Sequence, residues 1–206
     1  KKFEATVRCC TQNGIRGGSA TVHFPIWHQE IEDILVLKNN KGTEDNRVRK
    51  LDYSIQISKL FYERFIKNEE ITLFSPHDVP GLYDSFGTES FDDLYVKYEQ
   101  DESIPKTKIS AQELILNLLK ERAETGRVYI MNIDHCNSHS SFKDKVNMSN
   151  LCQEITLPTI PIGHIDDPQG EIALCILSAI NVGKLNNLNE LEELCDLSVR
   201  GLEELI

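Results

Sequence analysis

Ser149-Asn150-Leu151-Cys152-Gln153-Glu154 puts an amide, a thiol and a carboxylate at alternate positions. In an extended segment alternate side chains share one face, so Asn150, Cys152 and Glu154 would point the same way. A carboxylate beside a thiol disfavours the thiolate, so such a cysteine suits nucleophilic chemistry poorly and leaves a radical role open to it. From spacing alone, a polar stripe beside a packed cysteine has the stronger claim, because free cysteine is among the most buried residue types. Cys175 lies in the most apolar run of the chain, Ile172–Ile180, where packing accounts for it equally well. Cys9 and Cys10 are adjacent, which strains any bridge between them, and Cys195 falls within a helical pattern; these three read as structural. His135, Cys136 and His139 have short metal-ligand spacing, but with no fourth ligand nearby a hydrogen-bonded loop is the preferred account. Thr11–Gly18 lacks both the dinucleotide fingerprint and the lysine of a phosphate loop. Gln12 and Arg16 in it suit hydrogen bonds to a flat polar group such as a nucleobase, and a solvated turn is the equal alternative.

These residues need elements to carry them. CCTQNGIRGG (9–18) holds three of the eleven glycines and reads as an exposed loop, followed by a strand over Ala20–Phe24. Pro25 stands where a helix opens, with Ile26, Ile31, Ile34, Leu35 and Leu37 near helical spacing, and KNNKGTEDNR is a solvated loop. Tyr53–Ile57 and Ile71–Phe74 predict strands, Leu60–Ile66 a helix, and Pro76 to Gly81 a break. Helices follow over Phe91–Tyr98 and Ala111–Ala123, the second with Ser110 and Glu113 as a capping box. Val128–Met131 and Leu151–Leu157 read as strands, DHCNSHSS and PIGHIDDPQG as polar loops, Ile172–Ile180 as a buried strand, and Leu188–Leu205 as an amphipathic helix. Strands alternating with helices predict an α/β architecture with a largely parallel sheet and functional residues on loops at one end.

Twenty-two basic against 33 acidic residues give a net charge of −11, which excludes a sequence-independent grip on a nucleic-acid polymer. A mononucleotide is not excluded, since a few local donors hold one phosphate group. No apolar stretch approaches a membrane span and no signal-peptide core opens the chain, so a soluble, intracellular chain with reduced thiols is expected. The opening at Lys1 without Met and the end at Ile206 within a helical pattern suggest a piece cut at both ends.

SNLCQEITLPT (149–159), GEIALCILSAIN (170–181), CCTQNGIRGG (9–18), LVLKNNKGTEDNRVRKLDY (35–53) and ITLFSPHDVPGLYD (71–84) occur in that family's wording and order: the chain resembles the large, catalytic subunit of class I ribonucleoside-diphosphate reductases of bacteria and phages along its full length. The resemblance implies the central part, 1–206, of a ten-stranded α/β barrel with the active-site cysteine on a central finger loop. It implies that Cys152 becomes a thiyl radical and takes the ribose 3′ hydrogen, that Glu154 is the base on the 3′ hydroxyl, and that Asn150 binds the ribose hydroxyls. Cys175 matches a redox-active cysteine whose burial would control access, its partner having no counterpart in this chain. Cys10, Thr11, Gln12, Asn13, Gly14, Ile15, Arg16, Gly17 and Gly18 match a mobile specificity loop that senses a nucleoside triphosphate effector and contacts the substrate base.

Further implications are a ribonucleoside diphosphate substrate, a radical-generating small subunit that carries the metal, thioredoxin or glutaredoxin as reductant, a homodimer of the full large subunit and a cytoplasmic location. No metal is expected in this chain, and the piece alone is expected to be inactive. The rivals are a non-catalytic remnant that keeps the fold and binds nucleotide or a partner subunit, and a glycyl-radical reductase, whose glycyl segment has no counterpart here.

Overall fold

The computed structural model describes residues 1–205, in two compact units, Lys1–Thr159 and the stretch from Ile160 onward. In the first unit the elements run α1 (Lys2–Cys9), β1 (Thr21–Pro25), α2 (Ile31–Leu35), β2 (Asp52–Ile57), α3 (Lys59–Lys67), β3 (Glu70–Phe74), α4 (Leu82–Ser85), α5 (Phe91–Gln100), β4 (Lys106–Ser110), α6 (Ala111–Thr125), β5 (Val128–Asn132) and α7 (Ile133–Ser138). The strands β1, β2 and β5 form a parallel sheet in that order, with His23 opposite Ser54 and Ile55 opposite Ile130. Parallel neighbours need crossover connections, and α2 and α6 lie on the two crossovers. The strands β3 and β4 form an antiparallel pair, tied to the end of β1 by the Phe74 N–H, which donates to Trp27 O at 2.9 Å.

The middle strand shows why the sheet matters. Tyr53, Ile55 and Ile57 alternate with Ser54 and Gln56, and all five are buried. The apolar set belongs to the core with Phe61, Leu114 and Leu118. The centre of that core is aromatic: Phe61 and Phe74 meet Tyr95 edge to face at 5.3 and 5.6 Å between centroids, an arrangement aromatic quadrupoles favour. The Tyr95 hydroxyl is satisfied within it, donating to Thr72 O at 2.7 Å and accepting from Thr72 N at 2.8 Å.

Helix α6 starts where Ser110 Oγ accepts from Glu113 N at 3.4 Å and stops at Gly126 in the left-handed region, whose N–H donates to Arg122 O. Ser110 is the final residue of β4 and caps through its side chain only; the Glu113 carboxylate makes no return bond among those found, so half of the expected box forms. At the N-terminus of α3 the Lys59 N–H donates to Asp134 Oδ2 at 2.7 Å, so a carboxylate from α7 caps a helix that begins 75 residues earlier.

Four expectations are corrected in this unit. Pro25 ends β1 instead of opening a helix, and only Ile31–Leu35 of the apolar run is α-helical, because Ile26 and Trp27 are spent in the core as the chain leaves the strand. The sequence DHCNSHSS is no loop through its first half, since α7 takes in Ile133–Ser138 directly after β5. Leu151–Leu157 forms no strand. β4, with its pattern of Lys and Thr, and α1, none of whose residues is buried, were not legible as elements. The 38–47 stretch is mostly exposed as expected, but Asn39 is buried, donating to Glu121 Oε2 at 3.1 Å and accepting from Arg47 Nε at 3.0 Å.

The second unit carries a bridge in which Ile160 and Glu171 exchange both backbone bonds, at 3.0 and 2.9 Å, around a turn where Asp167 accepts from Gly163 N and Gln169 N. The amphipathic helix is present as α8 (Glu190–Glu203). Ile172–Ile180 is not the expected buried strand: it pairs with no strand among the described residues, and Ile172, Leu174 and Leu177 are exposed. A strand needs a neighbour to take its backbone donors and acceptors, and the described residues of this unit supply none. No described helix is long and apolar enough to cross a membrane.

Candidate functional site

The polar face of the parallel sheet is covered, not solvated, and what covers it is the segment leading into Cys152. Gln56 Nε2 donates to Asn147 O at 2.6 Å, His23 Nε2 to Ser149 O at 3.1 Å, and Thr21 Oγ1 to Leu151 O at 2.6 Å. Ser54 Oγ donates to Gln153 Oε1 at 3.1 Å. These donors come from β1 and β2, and the carbonyls they hold recur every second residue, as the period of an extended chain requires. A carbonyl only accepts, so His23 carries its proton on Nε2. Burial holds the His23 pKa below its ordinary value, against the smaller opposing effect of the Ser149 bond, which keeps the ring neutral.

Beyond Leu151 the chain turns. The Gln153 N–H donates to Asn150 O at 3.3 Å, and Gln153 takes a φ of 68°, in the left-handed region. Asn150 Oδ1 closes the turn by accepting from Ile155 N at 3.0 Å, while the Ser149 hydroxyl reaches the Ile155 carbonyl. This corrects the expectation of three side chains on one extended face. An asparagine able to bond its neighbours' backbone competes with the extended form, and one residue at positive φ ends the alternation. The structure does bring Asn150, Cys152 and Glu154 together on one six-residue loop, with Cys152 and Glu154 exposed and Asn150 half-buried. An exposed thiol also sets aside the packed-cysteine account.

Beside this loop an open cleft of about 540 Å³ follows the free edge of β5, lined among others by Tyr129, Asn132, His135, Cys136, Gln153 and Thr156. His135 and His139 stack edge to face on α7 with centroids 5.8 Å apart, and burial, then Asp134, pushes the Cys136 thiol pKa up. No group of three or more His, Cys, Asp and Glu able to hold a metal ion occurs among the described residues.

Cys10 to Gly17 are exposed, as expected for that loop. Gln12 N donates to Arg16 O at 2.8 Å and Ile15 N to Gln12 O at 3.0 Å, so the tip is a tight turn with Asn13 and Gly14 at φ of 51° and 71°. At its base Gly18 packs on the carbonyls of Val7 and Cys10 so closely that a Cβ would collide with both. Helix α1 and β1 thus hold the two ends of the loop together while Gln12 and Arg16 stay free of side-chain partners among the bonds found. Cys175 belongs to the second unit, where it is exposed in irregular chain; the buried setting expected for it is absent. Cys9 and Cys195 are exposed too.

Residues 1–206 match the family model described as ribonucleotide reductase, barrel domain. The chain belongs to the ribonucleotide reductase barrel-domain family. It is 54% identical to the ribonucleoside-diphosphate reductase subunit alpha of Buchnera aphidicola subsp. Schizaphis graminum and 58% identical to that of Haemophilus influenzae, each over the whole of this chain and 28% of the relative. The subunit alpha of Enterobacteria phage T4 is 44% identical over the same shares. The chain therefore spans a little over a quarter of these relatives' length. An open, mixed α/β layer with three parallel strands fits a part of a reductase barrel.

Thr21, His23, Ser54 and Gln56 of this barrel-domain chain escaped the sequence reading. Their signal was present as polar residues at alternate positions within TVHF and DYSIQI, but alternation is equally the mark of a face open to water.

Proposed function

We propose that this chain is the central barrel segment, 1–206, of the catalytic subunit of a class I ribonucleoside-diphosphate reductase, and that Cys152 is its radical-bearing thiol. The observation that carries the proposal is the loop on which Asn150, Cys152 and Glu154 stand together, hung from the sheet by its own backbone. Cys152, as a thiyl radical, takes the 3′ hydrogen of a ribonucleoside diphosphate and Glu154 accepts the 3′ hydroxyl proton. The 2′ hydroxyl, protonated by a thiol of the redox pair, leaves as water. The pair closes to a disulfide as it supplies two electrons and a hydrogen to the 2′ carbon, and Glu154 and Cys152 return the 3′ proton and hydrogen. A radical centre needs an accessible S–H bond and not a low pKa, so a neighbouring carboxylate is compatible with it. Asn150 now closes the turn, and its Nδ2 is the group that would meet the ribose hydroxyls.

Cys175 is the residue proposed to supply reducing equivalents with a second cysteine from elsewhere in the full subunit. The loop Cys10–Gly18 reads the substrate base through Gln12 and Arg16, and its positive-φ tip gives it alternative shapes for a bound nucleoside triphosphate effector to select. The partners are a small subunit that generates the radical at its own metal centre, thioredoxin or glutaredoxin as the final reductant, and a second large subunit, in the cytoplasm. The radical reading is tested by deoxycytidine-diphosphate formation in the complete subunit with its radical-generating partner and a reductant. Turnover should vanish in Cys152→Ser and persist in the parent; equal turnover would overturn the assignment, and none in either would favour a remnant.

A further inference from the structure

Gln56 is 1% exposed in the middle strand of the sheet, yet its amide is only half satisfied. Because Asn147 O accepts from Nε2, the amide orientation is fixed, and Oε1 is left in the interior with no donor. His23 repeats the pattern: Nε2–H serves Ser149 O, and the bare Nδ1 is buried without a partner. Each of these side chains therefore combines one bare buried acceptor, which costs stability, with one donor that satisfies a carbonyl of the facing segment.

What these side chains do is hold one short segment in register. The carbonyls of 147, 149 and 151 are taken in turn by Gln56, His23 and Thr21, and Cys152 follows the last of them by one residue. A slip of one residue would present the wrong set of carbonyls and turn every side chain of the segment over. Alternate anchors on two neighbouring strands thus fix both the height and the facing of the loop.

We propose that Gln56, His23 and Thr21 are positioning residues that set where the Cys152 thiol and the Asn150 amide stand, acting through the backbone carbonyls they hold. The inference rests on the reading of Cys152 as the reactive thiol. A displacement of about 1 Å at a reacting atom is enough to reduce turnover by roughly a hundredfold.

The test uses the full-length subunit with its partner. In Thr21→Val and Gln56→Leu, kcat should fall about tenfold or more, a larger change than in KM, since the reacting thiol is misplaced while of the substrate's contacts only that of Asn150 is disturbed. His23→Gln, which keeps a donor, should retain turnover that His23→Phe loses. In the same proteins, amide hydrogen exchange should quicken over 147–155 while β2 and β5 stay protected, which separates a loosened segment from an unfolded subunit. Unchanged exchange in Thr21→Val and Gln56→Leu, or quickened exchange with turnover intact, would overturn the proposal. Full turnover in Cys152→Ser would overturn the site itself, a result read from a different protein and so distinct from failure of the anchors.

Discussion

His23 is where one side chain's environment yields a measurable pH effect. Its folded pKa lies below the ordinary 6.5, chiefly through burial, so the unfolded chain binds a proton that the folded chain resists. The sign follows: its contribution is intact above about pH 6.5 and is lost as pH falls through the folded value. His28 is lowered in the same direction by burial, partly offset by Glu30, so removing His23 flattens the acid limb without abolishing it. Between pH 7 and pH 5 the melting temperature of His23→Gln should therefore drop less than that of the parent; parallel curves would contradict a neutral, buried ring. At Tyr53 burial, then Glu4 and Asp52, pushes the hydroxyl up to about 12, so it stays protonated and donates to Val48 O at 2.8 Å.

Among the elements, α3, α5 and β3 are joined by a polar knot beside the aromatic core. Arg64 meets Glu99 through two bonds of 2.6 and 2.5 Å, Glu99 accepts from Thr72 Oγ1 at 2.6 Å, and the guanidinium lies 5.0 Å from the Tyr95 ring centre. With both side chains mostly shielded, Glu99→Gln should lower unfolding stability by about 2 kcal/mol, between the values for exposed and for fully buried pairs. A urea midpoint equal to that of the parent would show that the pair contributes nothing net. α6 was legible because its apolar residues repeat at helical spacing between a serine cap and a glycine stop. β4 was not, because KTKIS owes its strand form to pairing with β3, a long-range contact that local pattern does not encode.

On the scale of the whole molecule, the buried hydrophobic core among the described residues lies within residues 1–159. The stretch 160–189 has mostly irregular backbone, with one two-residue bridge and one 3-10 turn at Val182–Lys184, and exposed Ile162, Ile165, Ile172, Leu174 and Leu177. Brief protease treatment of the 206-residue chain should cut first in that stretch and leave a resistant fragment ending near Thr159; first cuts inside β2 or α6 would contradict this ranking. The same division explains the fate of Ile172–Ile180. An apolar run of this kind is a strand only beside another strand, and none pairs with it among the described residues.

By itself the sequence determined the three parallel strands nearly to the residue, the helices α3, α5, α6 and α8, the exposed Gly-bearing loop, and the family, because those depend on local periodicity, capping and wording within short windows. It also singled out Asn150, Cys152 and Glu154 as types, without their arrangement. Only the tertiary structure decided that they stand on a turn and not on a strand, that Asp134 caps α3, and that Thr21, His23, Ser54 and Gln56 face a chain segment instead of water. The turn is local, closed between Asn150 and Ile155, but the cap and the four sheet anchors are contacts between residues 75 to 130 positions apart. The period of a strand specifies that it has two faces, and only the folded chain specifies what lies against each.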